Sequence, residues 1–463
     1  MTSPSRLQRA FARHGVALQR DGAVYHVRRA DRQARILLPA DLPLEAKAVT
    51  QLLDFAGVGW PDRPDPVRCA CATPDFHPGS LAPVGSIVAT DPDVVIPAAI
   101  GTDIYCGMRL ITTGLRQDEL LAHEPRIVEH LTRRLLVGET DVPVPAIAFR
   151  ALFERGPQDC LEALAAEGIW ASADRDRLHR EVAACVGLDG LGGKVEYAPD
   201  HLVAGRDRVR APDLGTVGSG NHFVEFQTVD AVLDRRIAYS AGLRLGDVVV
   251  MIHSGSRGVG FHVGRRWMDR ARHRWPAGHA HPESGLYALR GDDAAECLEA
   301  MGTAARYAWL NRVVIAEWVR EALESCVGAG GSRLVVDVPH NFVSAEHGMH
   351  LHRKGSTPAR AGEWALLPGS MGDASYLVEG LGHPDWLWSC SHGAGRAVRR
   401  QVIRREAKDA ASSSWRCVTL REERRLQEHP SAYKPIGPVL NCQEEAGLLR
   451  AAVKLKPWLT FKA

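Results

Sequence analysis

No run of the sequence approaches the ~20 apolar residues that a membrane-spanning helix needs. The opening stretch, MTSPSRLQRAFARHG, has no apolar signal core. Charge of one sign is missing too: 57 Lys and Arg face 55 Asp and Glu, for a formal charge of +2. That balance excludes a strongly basic nucleic-acid-binding tail and leaves room for a local basic groove. The ten cysteines follow no regular framework, which fits a reduced, cytoplasmic protein in which most of them are small core residues. There is no fixed-period repeat and no low-complexity segment. Three nucleotide signatures are absent as well. GLGGKV (190–195) resembles a P-loop, but Leu188 occupies its first Gly position and Val195 follows the Lys. No G-x-G-x-x-G follows a strand, and there is no K-x-D-G, so a lysine in that setting is not a nucleotide carrier.

What is present is 463 residues with 45% apolar content, enough for a sizeable core and against global disorder. Residues 1–67 read as an accessory segment, with AVYHVRR alternating like a strand and PLEAKAVTQLLDFAG helical up to its Gly. TPDFHPGS and APVGS predict turns between short strands. Residues 115–190 and 286–328 read as helical blocks inserted into a catalytic region spanning 68–463. Between them lie four junctions of one kind, an apolar run followed by a polar, Gly-rich turn: GDVVVMIHSGSRG, GSRLVVDVPHNF, ALLPGSMGDASYLVEG and DWLWSCSHGAGR. Such junctions aim N–H groups and side chains at one end of a sheet, so several of them predict one composite site in a complex α/β, or α+β, fold.

Two constellations carry chemistry. Asp103 and Cys106 in GTDIYCGM, His222 in GSGNHFVEF, His253 in HSGSRG and His340 in VPHNF make a carboxylate–thiolate–imidazole set suited to Zn, Mn, Fe or Co. One thiolate can bridge two metals, so these five side chains suffice for a pair. A lone strand-end His is more often structural; together, each beside turn-forming residues, they weigh about evenly for metal. The second set is anion-like. HSGSRG and SHGAGR each place an Arg (Arg257, Arg396) four residues after a His, across small residues. HRKGST adds Lys354, and PGSMG supplies another tight turn. One such motif is more often a solvated turn, but several together favour an anion site.

Taken together and in this order, PDFHPG, APVGS, GTDIYCGM, GSGNHFVEF, HSGSRG, HNF, HRKGST, PGSMGDASY, SHGAGR and AYKPI resemble the RtcB family of RNA-splicing ligases. These join RNA 3′-phosphate or 2′,3′-cyclic-phosphate ends to 5′-hydroxyl ends. The resemblance covers roughly residues 68–463. It implies GTP and two Mn²⁺ ions as cofactors, and Asp103, Cys106, His222, His253 and His340 as ligands, with Cys106 bridging. It implies His392 as the residue that takes GMP. Asn221, Arg257, Lys354 and Arg396 would hold phosphates; Phe223, Glu225, Ser375, Tyr433 and Lys462 would form the guanine pocket. Pro368, Ser370, Met371, Gly393, Ala394 and Gly395, in the two flanking turns, are further nucleotide-binding candidates. The implied partners are RNA ends of this kind in tRNA splicing or repair, and an archease-type activator such as family members often use.

Three positions depart from the family pattern. Tyr105 stands where Gly is usual and is expected to narrow the mouth of the metal site; Phe342 replaces Tyr; Cys390 replaces Ala. Two other readings use the same residues. A binuclear-metal phosphohydrolase or cyclic phosphodiesterase would need neither His392 nor a guanine pocket. An RNA-end-binding protein on a decayed ligase scaffold would not need the intact ligand set.

Overall fold

The computed structural model describes residues 5–138, 142–188, 190–205, 207–328, 330–398 and 415–463. The span 399–414 of the expected catalytic region therefore lies outside the described residues. Two large sheets dominate. The first runs, in spatial order, Ala17–Asp21, Val24–Arg29, Arg32–Leu37, Val67–His77, Val84–Thr90, Met349–Lys354, Asn341–Glu346. The second runs Leu334–Pro339, Gly107–Arg116, Asp247–Ser254, Phe223–Val232, Leu449–Lys462, Ser375–Gly380, Trp364–Leu367, with Arg416–Thr419 paired to Leu449–Lys462. Asp247–Ser254 is buried almost throughout, as its unbroken VVVMI run requires of a strand covered on both faces.

Register decides where chemistry collects. Gly107 pairs with Ser254 and with Pro339, and His253 with Phe223. Glu225 pairs with Thr460. Cys106, His222, His253, His340 and Lys462 are therefore delivered to the same end of four neighbouring strands and the fifth beside them. His340 also marks the point where the chain leaves the second sheet and, from Asn341, enters the first.

Helices cover the sheets. Residues 117–182 hold Gln117–Leu121, Glu124–Leu131, Ala146–Glu154, Pro157–Ala163 and Arg175–Val182. Residues 292–327 form a single helix of 36 residues, about 54 Å long at 1.5 Å per residue. Asp292 and Asp293 complement its N-terminal dipole, and Gly328 ends it in the left-handed conformation. Most of its length is buried, and it packs behind the strands that carry Cys106 and His253.

TPDFHPGS is the turn its composition predicts only at its end, where Pro78, Gly79 and Ser80 lead towards Val84–Thr90; Thr73 to His77 are strand. Val67–His77 is one strand of 11 residues, and it runs through Pro74. A register shift between Ala72 and His77 absorbs the proline, which cannot donate to a ladder.

Candidate active site

Five side chains from four segments meet at the strand ends. Cys106 Sγ lies 3.2 Å from His222 Nε2 and 3.2 Å from His253 Nε2. His222 Nε2 is 3.0 Å from Asp103 Oδ2, and His253 Nε2 is 3.2 Å from His340 Nε2. These atoms form two triads, Asp103–Cys106–His222 and Cys106–His253–His340, in each of which all ligand atoms lie within 4.8 Å. Cys106 belongs to both, the arrangement a bridging thiolate requires. Buried imidazoles and a thiol brought tip to tip, with few hydrogens to share, are a costly arrangement that bound cations would satisfy. The donor set therefore fits a pair of divalent ions.

The electrostatics agree. Burial pushes His253 and His340 far below the ordinary histidine range, leaving them neutral and ready to ligate. Burial, reinforced by the Asp103 charge, holds the Cys106 thiol well up. Burial alone would raise Asp103 too, but the His222 imidazole keeps it ionised. His222 Nδ1 is 3.1 Å from Val217 O, which fixes the ring so that Nε2 faces Cys106.

His392 stands beside this cluster, its ring centroid 4.7 Å from that of His340. Its Nδ1 lies 2.6 Å from Asp75 Oδ2, and its backbone N–H donates to the same oxygen at 3.2 Å. Asp75 is wholly buried. Burial opposes its ionisation, but the bonds from His392, Thr73 and Ser391 hold its carboxyl below the ordinary value. An ionised Asp75 can only accept, so Nδ1 carries a proton and Nε2 is the ring nitrogen that Asp75 does not engage. Lys434 Nζ donates to Pro74 O (2.9 Å) and Phe76 O (2.6 Å), bracketing Asp75. Burial brings that ammonium down to about 8.

Both groups open on a cavity of about 400 Å³. Its lining includes Asp103, Cys106, His253, His340 and His392, then Asn221, Phe223, Glu225 and Lys354. Pro368, Ser370, Met371, Gly393, Ala394, Gly395, Arg396, Tyr433 and Lys462 complete the expected residues there. His222, Ser375 and Arg257 stand behind this wall. Ser375 Oγ accepts from Gln227 Nε2 at 3.0 Å and from Gly369 N–H at 3.3 Å. Arg257 has a positive φ of 51° and lies along the 216–218 loop, its Nη2 3.4 Å from Thr216 Oγ1. Glu225 accepts from Gln227 (2.6 Å) and Thr460 (2.5 Å), and burial raises it to about 7.

Four residues escaped the sequence reading. Asp75 sits inside a motif that reads as a turn. Glu428, buried, draws together Arg396 (3.1 Å), Lys462 (3.8 Å) and the Tyr433 hydroxyl. Asn311 and Arg312 come from the long helix. Arg312 Nη1 donates to Tyr105 O (3.0 Å) and Ser254 O (3.1 Å), and Nε to Asp337 Oδ1 (3.0 Å). It thus grips the residues next to Cys106 and His253 and, through Asp337, the strand leading to His340. Asn311 Nδ2 donates to Ser254 Oγ at 3.0 Å. Spaced motifs carry no signal for residues in such supporting positions.

Tyr105 does not narrow the mouth. It takes the left-handed conformation, φ 56°, and its side chain turns into the core. There its hydroxyl donates to Val186 O at 2.7 Å and its ring meets Phe342 edge-on at 5.8 Å. Two departures from the family pattern are thus in contact with each other. Cys390 is buried beneath the His392 turn.

A metal-competent Asp–Cys–His cluster, set against a carboxylate-braced histidine in a deep cavity, defines an enzyme site. Comparison with known proteins makes that enzyme an RNA ligase. Over 430 residues the chain is 32% identical to the tRNA-splicing ligase RtcB of Thermococcus kodakarensis, covering 83% of this chain and 85% of that one. The tRNA-splicing ligase RtcB of Pyrobaculum aerophilum is 30% identical, over 90% of this chain and 92% of its own. The RNA-splicing ligase RtcB of Mycobacterium tuberculosis is also 30% identical, over 85% and 96%. The chain belongs to the tRNA-splicing ligase RtcB family, whose model matches residues 62–463. No helix among the described residues is long and apolar enough to cross a membrane.

Proposed function

We propose that this enzyme joins RNA 3′-phosphate or 2′,3′-cyclic-phosphate ends to 5′-hydroxyl ends, using GTP and Mn²⁺, in tRNA splicing or RNA repair. The observation that carries the reading is the Asp75–His392 pair beside the Cys106 cluster. A histidine braced at Nδ1 with Nε2 unengaged by Asp75 is placed as a nucleophile, and a hydrolase that activates water on paired metals does not need one.

Asp103, Cys106, His222, His253 and His340 would hold two manganese ions, with Cys106 bridging. Such ions supply positive charge to phosphoryl oxygens. His392 Nε2 attacks the α-phosphorus of GTP; the N–P bond forms, the bond to the β-phosphate oxygen breaks, and pyrophosphate leaves. Asn221, Arg257, Lys354 and Arg396 bind phosphate oxygens. Phe223, Ser375 and Tyr433 enclose the guanine, Glu225 accepts from its N–H edge, and Lys462 donates to its carbonyl oxygen. Pro368, Ser370, Met371, Gly393, Ala394 and Gly395 shape the remaining wall. A cyclic RNA end is first opened by water. The resulting 3′-phosphate attacks the guanylyl phosphorus and frees His392, and the 5′-hydroxyl of the second RNA then displaces GMP. An archease-type activator would act on this same cycle.

Incubation with α-labelled GTP and Mn²⁺ should give an acid-labile, base-stable protein adduct, which mass spectrometry maps to His392. His392→Ala should abolish it. A label that survives that substitution sinks the assignment, and RNA end-processing with no adduct at all favours the hydrolase.

A further inference from the structure

Residues 1–61 precede the stretch that the family model matches, and they hold a basic excess: nine Lys and Arg against five Asp and Glu. The rest of the chain holds 48 against 50, so the basic excess of the whole protein sits in this segment. The segment adds three strands to the first sheet. One face of them, Leu18, Tyr25, Val27, Ala34 and Ile36, is buried in the core. The other presents Gln19, His26, Arg28, Gln33 and Arg35, aligned across the ladder as Gln19↔His26↔Arg35 and Arg28↔Gln33. Every one of these carries N–H donors, and none is a carboxylate.

This face floors a trough of about 1340 Å³. The trough's carboxylates are Asp31, Asp54, Asp65 and Glu283. Asp54 is engaged by Arg29 and Arg32, and Arg35 is shared with Asp385 at 3.5 Å. Arg28 is exposed and pairs with no carboxylate among the described residues.

Two structural links run from the trough to the active site. Cys69 and Ala70 line the trough, and the same strand continues to Asp75, roughly 20 Å away at ~3.3 Å per residue. The helix Ala46–Ala56 turns Thr50 and Asp54 to the trough, while its Gln51 binds the rim of the catalytic cavity. Gln51 Nε2 donates to Gly79 O at 3.0 Å, and Gly79 N–H donates to Gln51 Oε1 at 3.1 Å. Gly79 lines that cavity.

We infer that this sheet face is a track for the phosphodiester backbone of the RNA substrate, holding the strand a few nucleotides from the end being joined. The inference rests on the chain's action on RNA. Donors without a base-reading pocket bind phosphate and sugar, so the track is indifferent to sequence and sensitive to salt. An acidic protein segment is the competing occupant, but the trough lies within a few nucleotides' reach of Asp75, roughly 20 Å along their shared strand, and this favours the substrate itself.

The test uses the full chain carrying Arg28→Glu with Gln33→Glu, and Arg28→Ala as a milder variant. Neither position belongs to the catalytic cavity. Affinity for fluorescent single-stranded RNA ending in a 3′-phosphate is measured by anisotropy against salt, for a strand of roughly 20 nucleotides and one of roughly five. The double variant should weaken the long strand by about tenfold and flatten its salt dependence by about one phosphate contact, with the milder variant in between. The short strand and the GMP adduct should be unaffected. Unchanged binding of the long strand by a variant that still forms the adduct overturns the proposal. So does an equal loss for both lengths, or loss of binding to polyglutamate with RNA binding intact. Absence of the adduct in the parent chain would instead strike the ligation chemistry proposed above, leaving the RNA arms readable by themselves.

Discussion

Two buried polar clusters lie back to back in this molecule, and they are built on opposite plans. In one, Arg109, Arg177, Arg312 and Arg320 interleave with Glu181, Glu317 and Asp337, so each buried carboxylate meets at least two guanidiniums. In the other, His253 faces His340, and Cys106 faces two imidazoles. They share strands: Arg109 follows Cys106 by three residues, and Asp337 precedes His340 by three. The first cluster satisfies its carboxylates internally, with opposite charges side by side. The second is a set of electron-pair donors converging on one another, the arrangement that suits a receptacle for cations. Internal compensation, rather than burial or polarity, is what separates a buried brace from a binding site.

The sharpest way to break this contrast is at Cys106. If it belongs to both triads, Cys106→Ala should strip both ions, whereas His340→Ala should strip about one of two, read as metal-to-protein ratio by elemental analysis. Equal ratios in the two variants would end the bridging assignment. Arg312 joins the clusters, so removing it should damage both. Arg312→Met removes one of Asp337's two guanidinium partners and the buried bonds to Tyr105 O and Ser254 O, and should cost about 3–5 kcal/mol in denaturant unfolding. The visible spectrum of the Co²⁺-loaded protein should shift as well, because the carbonyls beside Cys106 and His253 lose their tether. A drop in stability with an unaltered spectrum would make Arg312 a brace for the fold alone. The smallest effect expected is at Glu225, which burial raises to about 7. Its folded value lies above the ordinary carboxyl value, so it is protonated below pH 7 and can accept from a guanine N–H edge with both oxygens only above it. GTP affinity should therefore rise with pH, by up to about tenfold per unit below pH 7, and Glu225→Gln should level the curve. A parent curve as flat as the variant's would remove Glu225 from the pocket.

Much of the site could be read from the chain because its chemistry sits in strand-end turns. Gly-flanked His253 and His340 announce themselves wherever an apolar run stops. What stayed hidden are the residues that work through other residues. Arg312 looks like any helical arginine until the helix is seen to be buried on nearly every side. Asp75 lies next to a proline and reads as turn chemistry, since a bulged strand leaves no periodic trace. Glu428 gathers three partners only after distant segments have folded together. Tyr105 misled in the other direction. A bulky residue at a glycine position suggests an obstruction, but a left-handed backbone swings the ring into the core at a cost of roughly 1–2 kcal/mol.

The strand Leu449–Lys462 sits in the middle of the second sheet, between Phe223–Val232 and Ser375–Gly380. Both neighbours leave the ribosome well before it. Until it arrives they present unpaired edges that must be shielded from sticking to other chains. The same strand carries Lys462 into the wall of the catalytic cavity, so the cavity closes only once the sheet around it is complete.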